Sequence, residues 1–389
     1  MKYEKYKDSG VEWIGEVPSH WEVCAFKRKI TINNGKDYKN FLEDEIYPVM
    51  GSGGCFAYCS KFMYDGEALL LGRKGTIDKP LYIKGKFWAV DTMFYAVPTK
   101  DLHCKFAYYL ALTFPYSLYS TSTALPSMTQ TDLGNNPVAF PPLIEQQAIA
   151  TYLDEKCEEI NRAIDVQKKK IDLLNELKQT IITDAVTKGL DPNASMKDSG
   201  VEWIGKVPEH WKIKRTRFLC KIQTGDKDTV NRIDDGQYPF YVRSPKVERI
   251  DSYSFDGEAV LMAGDGVGAG KVFHYANGKF DYHQRVYNLH NFKDVSGMYY
   301  FYYISVKFKY IIEEGTAKNT VDSVRLNMIQ DFWVTIPPLS EQQIIVAHIE
   351  KETTKIDSQI TKANRRIELL EELKQSIITE AVTGKIKVC

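Results

Sequence analysis

The sequence predicts an α/β (α+β) chain built twice, with two α/β domains separated by two long antiparallel coiled-coil helices in a pseudo-twofold tandem repeat. Three observations predict it. An internal repeat spans nearly the whole chain, a heptad pattern closes each copy, and short β-rich runs broken by Gly, Asp and Asn fill the space between.

The repeat sets the frame. Lys7-Asp8-Ser9-Gly10-Val11-Glu12-Trp13-Ile14-Gly15 recurs residue for residue at Lys197 to Gly205, and each copy runs on through Val-Pro-x-His-Trp to Trp21 and Trp211. Tyr64-Asp65-Gly66-Glu67-Ala68 is answered by Phe255-Asp256-Gly257-Glu258-Ala259, and Pro141-Pro142-Leu143-Ile144-Glu145-Gln146-Gln147 by Pro337-Pro338-Leu339-Ser340-Glu341-Gln342-Gln343. Leu177-Lys178-Gln179-Thr180-Ile181-Ile182-Thr183 is answered by Leu373-Lys374-Gln375-Ser376-Ile377-Ile378-Thr379. The flanks of the two copies nearly match, while the segments between them share only scattered anchors. Loops drifting freely would also diverge, but near-identity on both flanks favours one scaffold carrying two different readers.

Each matching tail reads as a long helix. From Glu145 the apolar positions are Ile149, Leu153, Cys157, Ile160, Ile164, Ile171, Leu174, Leu177 and Ile181, with Gln167 the polar member. The second copy gives Ile345, Ile349, Thr353, Ile356, Ile360, Ala363, Ile367, Leu370, Leu373 and Ile377. Alternating steps of three and four, with Lys and Glu outside, describe a coiled-coil seam. The preceding prolines and the trailing Gly189 and Gly384 are start and stop signals. Two seams of this kind most simply bury each other, antiparallel across a compact domain. About 40 residues make a rod of about 60 Å, roughly 18 base pairs of duplex. The expected boundaries are a first domain over 1–144, a first helix over 145–188, a linker and second domain over 189–340, and a second helix over 341–389.

The middles, residues 22–140 and 212–336, carry strand-like runs such as Ala68–Leu71, Phe87–Val90 and Val272–Tyr275, with helical stretches near Phe106–Leu112 and Met298–Lys309. Each reads as an α/β domain on an irregular sheet.

Composition narrows the function. The 51 basic and 51 acidic side chains balance, so a nucleic-acid contact needs locally segregated charge and help from partners. The seven cysteines are isolated, with no C-x-x-C pair, and the expected metal content is none. A charged Met1–Lys7 start and the absence of a run near the roughly 20 apolar residues of a membrane span lead us to expect a cytoplasmic protein.

Catalytic motifs are missing. Gly264-Asp265-Gly266-Val267-Gly268-Ala269-Gly270-Lys271 fails the P-loop test, with Asp265 in place of the first Gly and Val272 in place of Ser or Thr. It fails as a dinucleotide fingerprint too, because a strand follows it. A loop offering amides to phosphate, or a tight turn, fits better. Asn136-Pro137-Val138 and Asp191-Pro192-Asn193 are not the Pro-Pro-aromatic motif of an adenine methyltransferase. The chain is expected to have no catalytic residues and to bind no cofactor itself.

Basic and amide side chains do cluster in the middles, where Lys and Arg supply phosphate attraction and Arg, Asn and Gln can read base edges. The candidate DNA contacts are Lys36, Arg73, Lys74, Thr123 and Gln130 in the first copy. In the second they are Arg243, Lys246, Lys271, His283, Gln284, Arg285, Lys318, Asn319 and Arg325.

The repeated Lys-Asp-Ser-Gly-Val-Glu-Trp-Ile-Gly-x-Val-Pro-x-His-Trp segment, the Pro-Pro-Leu-x-Glu-Gln-Gln helix start and the Leu-Lys-Gln-x-Ile-Ile-Thr-x-Ala-Val-Thr tail resemble the specificity (S) subunit of type I restriction–modification systems. The resemblance covers essentially the whole chain. It implies two target-recognition domains, each reading half of a bipartite, asymmetric site on double-stranded DNA, with the helices fixing the unread gap. It also implies two methyltransferase (M) subunits docked near the helices and two restriction (R) subunits for cleavage, those partners holding S-adenosylmethionine, ATP and Mg2+. A coiled-coil scaffold that binds proteins rather than DNA is the alternative, and a gapped DNA footprint separates the two.

Overall fold

The computed structural model describes residues 2–41, 46–119, 126–316 and 323–388. It divides into two compact units, Met1–Gln167 with Asn364–Cys389, and Lys168–Ala363.

The first unit opens on a hairpin of β1 (Tyr6–Asp8) and β2 (Glu16–Pro18), followed by β3 (Glu22–Ala25). Then come β4 (Ile30–Asn34), β5 (Tyr47–Gly51), β6 (Gly54–Cys59), β7 (Tyr64–Gly72), β8 (Leu81–Ala89) and β9 (Met93–Pro98). Helices α1 (Cys104–Ala111), α2 (Tyr116–Tyr119) and α3 (Gln130–Asn135) lead to β10 (Pro137–Phe140), which returns to pair with β3, and then to α4 (Leu143–Lys188). The six-stranded sheet has the order β4-β9-β7-β8-β5-β6, antiparallel except for a short parallel contact between β5 and β8.

The second unit repeats this plan. Its elements are β11 (Met196–Asp198), β12 (Lys206–Pro208), β13 (Lys212–Arg215), β14 (Lys221–Thr224), β15 (Tyr238–Tyr241), β16 (Glu248–Ile250), β17 (Phe255–Ala263), β18 (Phe273–Tyr282) and β19 (Val286–His290). Then follow α5 (Gly297–Lys307), α6 (Lys309–Thr316), α7 (Leu326–Gln330), β20 (Trp333–Ile336) and α8 (Leu339–Val382). The sheet order β14-β19-β17-β18-β15-β16, with β15 and β18 parallel, matches that of the first unit.

The apolar runs form central strands because strand side chains alternate faces. In β7, Leu69 and Leu71 join Phe106 of α1 in one core, while Ala68 and Leu70 join Phe87 and Trp88 in another. In β17, Val260 and Met262 face Tyr300 and Ile304 of α5, while Ala259 and Leu261 face Phe280.

The repeated motifs interlock at the start of each long helix. In the first unit the Trp21 indole N–H and the Tyr3 hydroxyl donate to Glu145, and His20 Nε2 lies 2.9 Å from the same carboxylate. Gln146 accepts from the His103 amide at 2.8 Å and donates to the Pro141 carbonyl at 2.9 Å. The second unit repeats this with Trp211 and His210 on Glu341, and with Gln342 between Ser296 and Pro337. Orphan helix-start amides are thus joined to buried side chains that pin helix to domain. Trp13 packs edge-on to Phe114, and Trp203 stacks on Phe332 and Tyr310, both only partly buried.

The long helices run antiparallel within each unit. In the first, Ile149, Leu153 and Cys157 share a core with Ile378, Ala381 and Val382, and Lys374 Nζ reaches Asn161 Oδ1 at 2.9 Å. In the second, Ile182, Ala185 and Val186 share a core with Ile345 and Ile349, and Lys178 Nζ reaches the Asp357 carboxylate at 2.7 Å. Of the seam positions, Ile149, Leu153, Ile160, Ile164, Leu174, Ile345, Ile349 and Ile356 are buried. Ile171, Ile360, Ile367 and Leu370 are half-buried.

Two residues read as seam members leave it. Leu177 and Leu373 are 48% and 49% exposed. A step of three from Ile171 to Leu174, or from Ile367 to Leu370, must be followed by a step of four, which lands on Lys178 and Lys374. Their stems lie along the seam and their heads find polar partners. Gly189 and Gly384 end the helices at φ +74° and +72°, and a Cβ on Gly384 would sit 2.3 Å from Pro18 Cδ. No helix among the described residues is long and apolar enough to cross a membrane.

Candidate nucleic-acid interface

In the first unit, three loops gather around the turn between β8 and β9. The Gly35 amide donates to Met93 O at 2.9 Å, the Lys36 amide to Ala89 O at 2.9 Å, and the Arg73 amide to Thr92 O at 2.8 Å. The approach at Gly35 is close enough that a Cβ there would lie 2.0 Å from Val90 O, so only glycine fits. Arg73 O in turn accepts from the Met128 amide at 3.0 Å, and Lys74 bridges to Ser127. This arrangement holds Lys36, Arg73 and Lys74 at one end of the sheet. Lys36 and Lys74 are exposed, and the Arg73 guanidinium lies 5.9 Å from the Phe94 ring centroid. Among the described residues none of the three forms an ion pair with a carboxylate. Gln130 is exposed, with its side-chain amide donating to Ile32 O at 2.6 Å. Thr123 lies outside the described residues.

Part of this pattern recurs at the same end of the second sheet. The Gly264 amide donates to Arg285 O at 2.8 Å, Asp265 bridges to Ser323, and a Cβ on Gly225 would lie 2.0 Å from Tyr282 O. The chemistry differs. Asp265 accepts from Arg243 Nη1 at 2.9 Å and stands 3.6 Å from Arg285 Nε. Gln284 donates to Asp228 at 2.9 Å, and His283, 2% exposed, accepts the Arg285 amide on Nδ1 at 2.9 Å. Burial, helped by the Arg243 charge, holds the His283 imidazole below its ordinary pKa, so it is neutral near pH 7. Arg325 follows the bridging Ser323 by two residues and is exposed. Lys246 leans towards Glu248 at 3.6 Å, and Lys271 sits exposed on the glycine-rich loop. Lys318 and Asn319 lie outside the described residues.

That loop is a compact turn. The amides of Ala269, Gly270, Lys271 and Val272 are taken by its own carbonyls and Ala263 O, and Val267 at its tip is 97% exposed. Val272 belongs to this turn, with β18 beginning at Phe273.

Aligned on the Asp-Gly-Glu-Ala anchors of β7 and β17, the two ends present different side chains on one backbone. Lys74 corresponds to Asp265, Arg73 to Gly264, Lys36 to Asp226, and Val90-Asp91-Thr92 to His283-Gln284-Arg285. Asp265 is a candidate that sequence reasoning passed over, having been weighed only as a failed P-loop position. Counting ten residues from Tyr64 and from Phe255 sets it opposite Lys74 and would have found it. The first end can attract phosphate. The second sets the guanidinium groups of Arg243 and Arg285 beside one carboxylate, at 2.9 and 3.6 Å, residue types that can donate to guanine edges and accept from cytosine. Asp265→Ala should leave the second unit folded, release both arginines, and relax base preference by about 5- to 150-fold at one position. Binding measured against a panel of single-base variants checks this, and an unchanged preference would show Asp265 to be structural. Among the described residues, no group of three or more His, Cys, Asp or Glu is placed to hold a metal ion.

Known proteins share this chain's sequence pattern and fold. Residues 18–176 and 208–371 each match the model of the type I restriction modification DNA specificity domain. The chain is 30% identical over 182 residues to the EcoDI type I restriction enzyme specificity subunit of Escherichia coli, a match covering 47% of this chain and 40% of that one. It is 22% identical over 427 residues to the MjaVIII specificity subunit of Methanocaldococcus jannaschii, covering 96% and 94% of the two chains. A chain from a solved structure addressing assembly and conformational transition of a type I R-M system has the same fold. Its TM-score is 0.70 at 15% identity, over 95% of this chain and 99% of that one.

Proposed function

Since the chain belongs to the type I restriction–modification DNA specificity family, we propose that each unit reads one half of a bipartite, asymmetric target on double-stranded DNA and that the paired helices set the unread gap. One observation carries this reading. Two sheets of identical order present different side chains at corresponding loop positions, Lys36, Arg73 and Lys74 in one against Asp226, Gly264 and Asp265 in the other, with Arg285 where the first has Thr92. A shared frame with exchanged contact residues is what two readers of different sequences require.

The balance of 51 basic and 51 acidic side chains fits a subunit that shares its grip on DNA with partners. In this proposal two methyltransferase subunits dock along the helices and two restriction subunits join for cleavage. S-adenosylmethionine, ATP and Mg2+ are bound there, and this chain contributes recognition without chemistry, in the cytoplasm. The test is to map methylation in DNA from cells carrying this chain and its methyltransferase partner. Two defined half-sites with a fixed number of unread bases between them are expected, and a contiguous motif would overturn the proposal.

Helix length makes the gap testable on its own. α4 has 46 residues, or about 69 Å at about 1.5 Å each. Matched seven-residue insertions after Ile164 and Glu371 keep the seam in phase and lengthen both helices by about 10 Å, or about three base pairs. The methylated motif should keep both half-sites and widen between them. An unchanged gap would refute the ruler.

A further inference from the structure

We propose that Phe56, braced by Tyr38, is a base-stacking element of the first unit, so that this unit reads its half-site partly by stacking while the second uses hydrogen bonds at the corresponding end. The inference rests on the DNA-reading function proposed above and adds a residue to it.

Phe56 lies on β6, the edge strand of the first sheet, and is 59% exposed although its ring is positioned on two sides. Tyr38 meets it edge-on at 5.7 Å between centroids. On the other side, a Cβ on Gly51 would come within 3.1 Å of the Phe56 ring and 4.0 Å of Val90 Cγ2. The glycine therefore makes room for the ring against the turn between β8 and β9. The Val90 amide donates to Met50 O at 3.2 Å and the Lys36 amide to Ala89 O at 2.9 Å, so ring, turn and cations are one assembly.

A large, exposed aromatic ring linked through the β8–β9 turn to Lys36 and Arg73, neither of which forms an ion pair with a carboxylate among the described residues, has the chemistry of a nucleic-acid contact. The cations draw in the phosphates, and the ring offers its face or edge to a base or a base step. Cations dress the rest of this edge too, with Lys61 4.6 Å from the Phe41 centroid and Lys86 4.8 Å from that of Phe62. These cations favour DNA as the occupant. Among the described residues the edge strand of the second unit has no aromatic counterpart. That strand, β16, reads Glu248-Arg249-Ile250, with Glu248 turned towards Arg232 and Lys246.

The experiment uses the full chain assembled with its methyltransferase subunits and duplexes carrying 2-aminopurine at successive positions of the first half-site. Phe56→Ala should bind about ten- to a hundredfold more weakly. It should also abolish a fluorescence change confined to one step, and Phe56→Trp should restore both. Wild-type binding by Phe56→Ala, alongside loss of binding in a Lys36→Ala/Arg73→Ala double variant, would overturn the stacking role and leave DNA reading intact. Failure of the unaltered assembly to bind any duplex would remove the DNA-reading function itself, and with it this inference. If Phe56→Ala stays folded by circular dichroism but no longer assembles with the methyltransferase subunits, the ring docks protein and the proposal fails.

Discussion

Replacing residues 22–140 with the same segment of another family member should exchange one half of the methylated motif completely and leave the other half unaltered. The expectation follows from where the variable side chains sit. Lys36, Arg73 and Lys74 are all held by bonds inside the first unit, to Ala89, Thr92 and the 126–128 segment. The exchanged segment runs from β3 to β10, which pair with each other, so the cut falls at the mouth of a closed ribbon. Of the ties between unit and helix, Trp21 and Glu145 remain outside it, while His103 enters through its backbone amide, which any non-proline residue there supplies to Gln146. Specific sites exceed non-specific DNA by about 10^3-fold or more, so the old half-site should lose at least that preference. Methylome mapping or binding to paired half-site libraries reads the result. Alteration of both half-sites would mean that the units do not read independently.

Trp211→Ala should be the most damaging single substitution at a repeated position. The indole is fully buried and donates to Glu341 at 3.0 Å, while Lys197 caps its carbonyl at 2.7 Å. Truncating a buried tryptophan costs about 3–5 kcal/mol through lost burial and the cavity left behind. Here it also strips a donor from a half-buried carboxylate at a helix start. Trp211→Phe keeps most of the apolar volume and should cost less, about 1–3 kcal/mol, most of it the lost hydrogen bond. Urea unfolding gives both values. Hydrogen exchange should show protection lost first in the β11–β12 hairpin and the first turns of α8. An unchanged unfolding midpoint for the alanine variant would contradict the role assigned to this junction.

Much of the candidate interface was legible in the residues, but not its organisation. Arg73 and Lys74 stood out because glycines bracket them, and Arg243 and Arg285 because cations cluster around them. Nothing local said that Asp265 joins the two arginines, because those partners come from three different loops. Gln130 likewise has a partner that no neighbouring residue announces, its side-chain amide donating to Ile32 O on β4. Phe56 carried no signal at all, since an aromatic at alternating spacing reads as core until its edge strand is placed.

The sequence by itself determined the duplication, the α/β class, the two long helices and their antiparallel pairing. All of these are written in local periodicity and in motifs that recur in order. Tertiary structure decided what periodicity cannot carry. It placed Lys178 and Lys374 on the seam in place of Leu177 and Leu373, because only the facing helix supplies Asp357 and Asn161. It also decided which loops meet at the end of each sheet, because strand order follows long-range pairing, which leaves no mark in neighbouring residues.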